Sequence, residues 1–483
     1  GGERDCYLDK KTPLKDRTVK VNLPEGQNFS TKKGSTGETV QFDVIHKMPD
    51  IKADGTTEQF SNQNIALGQD IVIDSAANLT NNFSGWEGKK NSQGDLIGGE
   101  KIHGLGHIIN RGDMISSSEY LGAATESSHN PIGTFKKLVN SEIRDLGVLG
   151  NMKHKSSGFV GNLVGSFYNG KISNSYSTGE NIEGNYYSSA AGLVGYAKNS
   201  SIDNSYSKYK KIFAMGSVAG LVGIMDNSSV NNSYSIVENL NNDYHHSNTG
   251  GLVATAYNGS KIINSYAESV IGSGSRNSGG VVGLLTNNST LSGSYFKGNI
   301  TTWLNYSLGG LVGELSNSSK VSDSYFTGKL YSSSSYDLRL GGLIGYMDNS
   351  SLERSYGVGD ITYGGSLFSS HVGGVVGVSN KNKISNIYYN STSNEKPKLF
   401  DITGNTPTDS IIEKYSLETV ENLKQKSTFQ DWDFDNVWFI DEGNSYPILR
   451  ALAKDKTVID SPEPAPEPAP EPAPEPAPEP APE

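Results

Sequence analysis

Four histidines offer the first prospect of chemistry. His103 and His107 stand four residues apart, the spacing that aligns two imidazoles on a helix for zinc, and His245 and His246 are adjacent. Gly104 and Gly106 lie between the first pair and argue against the helix that would align them. No H-E-x-x-H sequence occurs, and no G-x-S-x-G stands in a strand–turn–helix setting. The expectation is no metal, no cofactor and no catalysis. Residue types suited to binding are more plentiful. Arg111-Gly112-Asp113 is a cell-attachment tripeptide that would engage integrins from an exposed loop. Tyr186 and Tyr187 fall in NIEGNYYSSA, Tyr244 in NLNNDYHHSNT, and Tyr331 and Tyr336 in YSSSSYDLRL. Tyrosine gives a large contact area at low entropic cost, so these stretches are candidate binding loops for protein or carbohydrate. The many N-x-[ST] sequences read first as corner turns.

What must position these residues is a repeat. A tyrosine, usually after serine, recurs at Tyr176, Tyr206, Tyr234, Tyr266, Tyr295, Tyr325, Tyr356 and Tyr388, in steps of 30, 28, 32, 29, 30, 31 and 32 residues. Four places before each stands an aliphatic residue: Ile172, Ile202, Val230, Ile262, Leu291, Val321, Leu352 and Ile384. Before that a G-[LV]-[VI]-G element ends at Gly165, Gly195, Gly223, Gly283, Gly313, Gly345 and Gly377, with Ala254 in the fourth slot. Short apolar pieces between Gly, Asn and Ser turns favour strands, and one repeat cannot bury its own apolar face. The copies must therefore stack as coils, each about 4.8 Å from the next. An offset of four places the aliphatic residue and the tyrosine on one face of a straight strand. In that register the tyrosines form a ladder, and the asparagines at 174, 204, 232, 264 and 386 form another. The asparagine column holds Asp323 in the sixth copy and Arg354 in the seventh. Adjacent coils would set these two side by side as an ion pair.

The expected fold is all-β: a single-stranded right-handed parallel β-helix (β-solenoid) with coils of about 30 residues. Residues 1–60 read as an N-terminal cap or first coils, 61–150 as irregular coils and 151–390 as eight regular ones. Residues 391–455 read as a C-terminal cap with a short helix at YSLETVENLKQ. Its aromatic segment, with Trp432, Phe434, Trp438 and Phe439, would plug the open end. Residues 456–483 are an EPAP repeat, an extended, disordered polyproline linker. The net charge of −11 argues against nucleic acid and against anionic membranes. Cys6 stands alone, so no internal disulfide forms, and no apolar run is long enough to span a bilayer.

The stretch GGLVGELSNSSKVSDSYFTG resembles the GLUG motif repeat of large bacterial surface proteins. Those include filamentous-haemagglutinin-like adhesins and immunoglobulin A1-cleaving metallopeptidases. IHGLGHIIN and FDNVWFIDEGNSYPIL are similar to segments that open and close such arrays, so the resemblance covers roughly residues 60–450. Two departures limit what carries over: the metallopeptidases' zinc helix does not occur, and neither does the two-partner secretion domain expected at the start of a complete haemagglutinin-like adhesin. The resemblance implies a secreted, non-enzymatic adhesin passenger at the bacterial cell surface, binding host-cell protein or glycan through coil faces and insertion loops. The acidic charge and the lack of a long apolar run point to no direct membrane insertion, and the EPAP spacer to further domains of a longer precursor beyond residue 483. The alternatives are a passive stalk for another domain, or a polysaccharide-degrading β-helix enzyme. The recurring columns carry Asn, Ser, Tyr and Gly rather than the Asp, Lys or Arg that such an enzyme needs.

Overall fold

A computed structural model describes residues 20–33, 38–73, 83–116, 130–185, 187–304, 306–334, 337–364, 370–390, 403–404 and 409–453. Cys6, Tyr186, Tyr336 and the EPAP tail lie outside them. The described chain is all-β, a parallel β-solenoid of about nine turns spaced roughly 30 residues apart. Among the described residues no helix is long and apolar enough to cross a membrane.

One coil shows why the repeat folds as it does. Its four strands are Ser307–Gly309, Val312–Ser316, Lys320–Ser322 and Tyr325–Ser332. The first position stacks into an 8-stranded sheet and the second into a 10-stranded one. The third and fourth belong to a 23-stranded sheet folded around a corner. The G-L-V-G element makes the tight bend between the first two strands. A Cβ at Gly310 would lie 2.3 Å from the Gly342 carbonyl oxygen of the next coil, so only glycine allows that approach.

The aliphatic column pairs residue for residue, Ile172 with Ile202, Val321 with Leu352 and Leu352 with Ile384. It runs upstream through Ile143, Ile102 and Ile65, so the irregular coils share the same core. All these side chains are buried in one continuous cluster, each contributing about 1.5–3 kcal/mol. An antiparallel hairpin, Asn28–Lys33 with Glu38–Ile45, covers the first coil strand, Asn64–Leu67.

Three expectations are corrected. The aliphatic residue and the tyrosine do not share a face. The residue two places before each tyrosine has a left-handed backbone, with φ of 49° at Asn174, 48° at Asn204, 50° at Asn232 and 49° at Asn264. This bend separates the two strands, leaving the aliphatic residue in the core and the tyrosine in a second cluster outside it. Asparagine suits the corner because its short polar side chain tolerates that conformation.

The second correction concerns the helix at YSLETVENLKQ. Ile411–Leu417 is a further coil strand, pairing Ile384 with Ile412 and Tyr388 with Ser416. Among the described residues the rest of that segment forms a 3-10 turn at Asn422–Lys424, followed by another at Lys426–Thr428, and no α-helix. The row of coil partners outweighs local helix propensity.

Finally, the aromatic segment is no end plug. Trp438 packs on Tyr325 and Tyr356, Trp432 on Tyr356 and Tyr388, and Phe429 on Tyr388. The Tyr356 hydroxyl donates to the Pro447 carbonyl oxygen. The cap thus lies along the flank, across three rungs of the tyrosine ladder. Ile411, Tyr415 and Leu417 of the last strand remain exposed.

Candidate binding edge

The ladders are the scaffold. Rings of Tyr176, Tyr206, Tyr234, Tyr266, Tyr295, Tyr325 and Tyr356 stack with centroids 4.9, 4.9, 4.8, 4.7, 4.8 and 5.1 Å apart. Burial raises the hydroxyl pKa of Tyr295, Tyr325 and Tyr356, so these stay neutral phenols. Arg354 reaches back to Asp323 with two bonds, Nε to Oδ1 at 2.9 Å and Nη2 to Oδ2 at 3.0 Å. Arg354 Nη1 also donates to Glu353 at 3.0 Å, and Trp438 Nε1 to Asp323 Oδ1 at 3.4 Å.

Serine forms two ladders that the repeat alone did not reveal. The Ser175, Ser205, Ser233, Ser265, Ser294 and Ser324 amides each donate to the hydroxyl of the matching serine one coil on, at 3.1–3.3 Å. A second series runs from Ser200 through Ser228, Ser260, Ser289 and Ser319 to Ser350. The signal was the fixed serine before the tyrosine. The asparagine ladder is only partial: Asn204 Nδ2 donates to Asn174 Oδ1 at 2.5 Å, but Asn232 Nδ2 turns to Asp203.

The tripeptide at 111–113 is not an exposed loop. It lies within strand Ile108–Ser116, and Arg111 is fully buried. Its guanidinium donates to Thr134 Oγ1 at 3.0 Å, Asn162 Oδ1 at 2.6 Å and the Asn151 carbonyl at 2.8 Å. Asp113 is exposed but accepts from Asn151 Nδ2 at 2.9 Å. A receptor that needs both charges cannot reach an interior arginine, so the integrin expectation is overturned. The apolar residues around it, HIIN and MIS, were the strand signal.

His103 and His107 face different partners. His103 Nδ1 accepts from the Leu105 amide, while His107 contacts Asp70 Oδ1 at 3.1 Å and the Val21 carbonyl at 2.7 Å. Among the described residues no group of three His, Cys, Asp or Glu could hold a metal ion.

Exposed aromatics gather where the long fourth strand leads into the next coil. The connections there alternate in length: 184–188 and 243–247 are long, while 215–216 between them is short. The long loops lean across the short one, and Tyr187 meets Tyr244 edge-on at 5.5 Å. The 243–247 loop is locked from within: Tyr244 N donates to Asn242 Oδ1 at 2.7 Å, and Ser247 Oγ to the Tyr244 carbonyl at 2.6 Å. The His245 and His246 rings lie 4.0 Å apart, tilted at 48°, beside Tyr244.

Trp303 then folds back over the short connection at 274–276. Its Nε1 donates to Asp243 Oδ1 at 3.2 Å, and Gly274 lies beneath it with no room for a Cβ, which would sit 2.7 Å from that nitrogen. Trp303 is 37% exposed, Leu304 45% and Tyr306 42%. Sequence reasoning missed these three. The signal was TTWLNYS, which holds the one tryptophan within the eight copies. Tyr331, taken as a loop residue, belongs to strand Tyr325–Ser332 and is exposed at its end.

Stacked coils, inward aliphatics and outward ladders define a parallel β-solenoid repeat protein. Residues 305–331 match the GLUG motif, and with the coil architecture this fits a GLUG-repeat β-helical protein. Comparison with curated proteins gave no significant match.

Proposed function

We propose that the chain is a secreted, non-enzymatic adhesin passenger of a bacterial surface. It grips a host-cell glycoprotein or glycan along the aromatic edge formed by Tyr187, Tyr244, Trp303, Leu304 and Tyr306. The observation that carries this reading is Trp303, a large apolar ring left partly in water yet fixed by Asp243 and a glycine floor. Pre-organised aromatics lose little entropy on contact, and Trp and Tyr dominate the energy of binding surfaces. Loops at this edge vary in length while the strands on either side keep their pairing, so contact can be specified apart from folding.

Binding of the chain to host cells and to a panel of immobilised glycans tests the reading. Trp303→Ala and the double variant Tyr187→Ser/Tyr244→Ser should each weaken binding about tenfold or more, with circular dichroism unchanged. Binding that survives both changes would place the contact elsewhere. A chain that binds no surface would favour the passive stalk.

A further inference from the structure

A second feature lies at a different corner of the coil, between the second and third strands. There a polar trough of about 600 Å³ runs lengthwise across five coils, from Asn140 to Lys261. Each coil contributes an Asn- or Gly-bearing corner and the first residue of its third strand. Those first residues are Glu142, Lys171, Ser201, Ser229 and Lys261, in unbroken register.

Two observations set this trough apart. Lys171 and Lys261 are exposed, and among the described residues their ammonium groups make no ion pair or hydrogen bond. Other lysines near these corners are neutralised: Lys198 by Asp226 at 3.9 Å and Lys320 by Glu353 at 3.3 Å. Between the two ammonium groups, the hydroxyls of Ser201 and Ser229 make no hydrogen bond among the described residues. The internal ladder uses Ser200 and Ser228 instead. A chain whose net charge is −11 thus holds two cations without a side-chain partner among the described residues in one trough, three coils apart, with serine hydroxyls and the side-chain amides of Asn199 and Asn227, bonded to each other at 2.8 Å, between them.

We propose that this trough binds an extended acidic polysaccharide, its carboxylates on Lys171 and Lys261 and its ring hydroxyls on the serines and asparagines. One polar set per coil, repeating at about 4.8 Å, follows a linear polymer rather than a compact molecule. Among the described residues no aromatic or apolar side chain lines the trough, which disfavours an amphipathic peptide. Two cations are too few for the phosphate chain of a nucleic acid. Glu142, beside Lys171 at the trough's end, repels an anion there and directs the polymer towards Lys261.

Calorimetric titration of the full chain with oligogalacturonate, and with its neutral methyl ester, tests the assignment. The acid form should bind, and the ester more weakly. Lys171→Gln/Lys261→Gln should lower affinity for the acid form about tenfold, as two exposed charge contacts predict. Arginine at both positions should retain affinity, and Ser229→Tyr should block the trough. Trp303→Ala should leave this binding unchanged, separating it from the aromatic edge. Equal affinity for the two ligands, full affinity in the glutamine variant, or no binding by the unaltered chain would each overturn the proposal.

Discussion

Arg354 holds a backbone conformation, φ of 42°, in a column otherwise filled by Asn, Asp or Gly. A left-handed residue with a long side chain costs about 1–2 kcal/mol, and the two bonds to Asp323 offset that cost. The two halves of the pair should therefore respond differently to mutation. Asp323→Asn keeps a residue suited to the corner but removes the charge, and should lower stability by about 1 kcal/mol. Arg354→Asn loses the same pair but relieves the backbone, and should be neutral or stabilising. Thermal melts of the two variants check the order; the reverse would mean the fork outweighs the strain.

Buried histidines set a pH limit at the same scale. Burial pushes His103 down to about 3 and His154 down to about 4, from an ordinary 6.5. Both folded values lie below the unfolded one, so the unfolded chain takes the proton first. Stability is full above about pH 6.5 and falls as pH drops, by about 1.4 kcal/mol per unit for each histidine. His154→Gln should flatten that decline between pH 6 and pH 4 in denaturation measured across the range.

Among the elements, the serine ladder is the most exacting. Ser265 Oγ accepts the Ser233 amide, and both residues are buried. Ser265→Ala would strand that amide at a cost of about 1–3 kcal/mol. Hydrogen exchange at the Ser233 amide should quicken sharply, while amides several coils away keep their protection. Uniform acceleration would show that the coils open together.

The aliphatic column was legible in the sequence because every copy must fill the same narrow core, which fixes residue type at a fixed offset. The turn at Asn174 and its counterparts was not, because an offset of four also fits a straight strand. Only the positive φ reveals that the tyrosine swings outward. The cap was legible as aromatic bulk, but its seat on Tyr325, Tyr356 and Tyr388 follows from that outward swing. The candidate edge was half legible: Tyr187 and Tyr244 stood out within polar loops. Trp303 matters through Asp243, a residue sixty places away.

At the scale of the molecule, each coil pairs only with its immediate neighbours, so stability is close to a sum over adjacent pairs. Most coil boundaries pair the same repeat positions, with a bulge at a few such as Val237/Asn239, which makes the coil a unit of heredity as well as of structure. Removing residues 267–295 would join Tyr266 to Phe296, recreating the Tyr-Phe step already present at Tyr295 and Phe296. Every ladder would resume in phase one coil sooner, and the shortened chain should still fold, with its far-ultraviolet spectrum preserved per residue. Recombination between in-phase repeats of a gene removes or adds one copy at a time. A lineage carrying this gene could therefore gain or lose whole rungs in single events, changing which loops it displays without having to reinvent the fold.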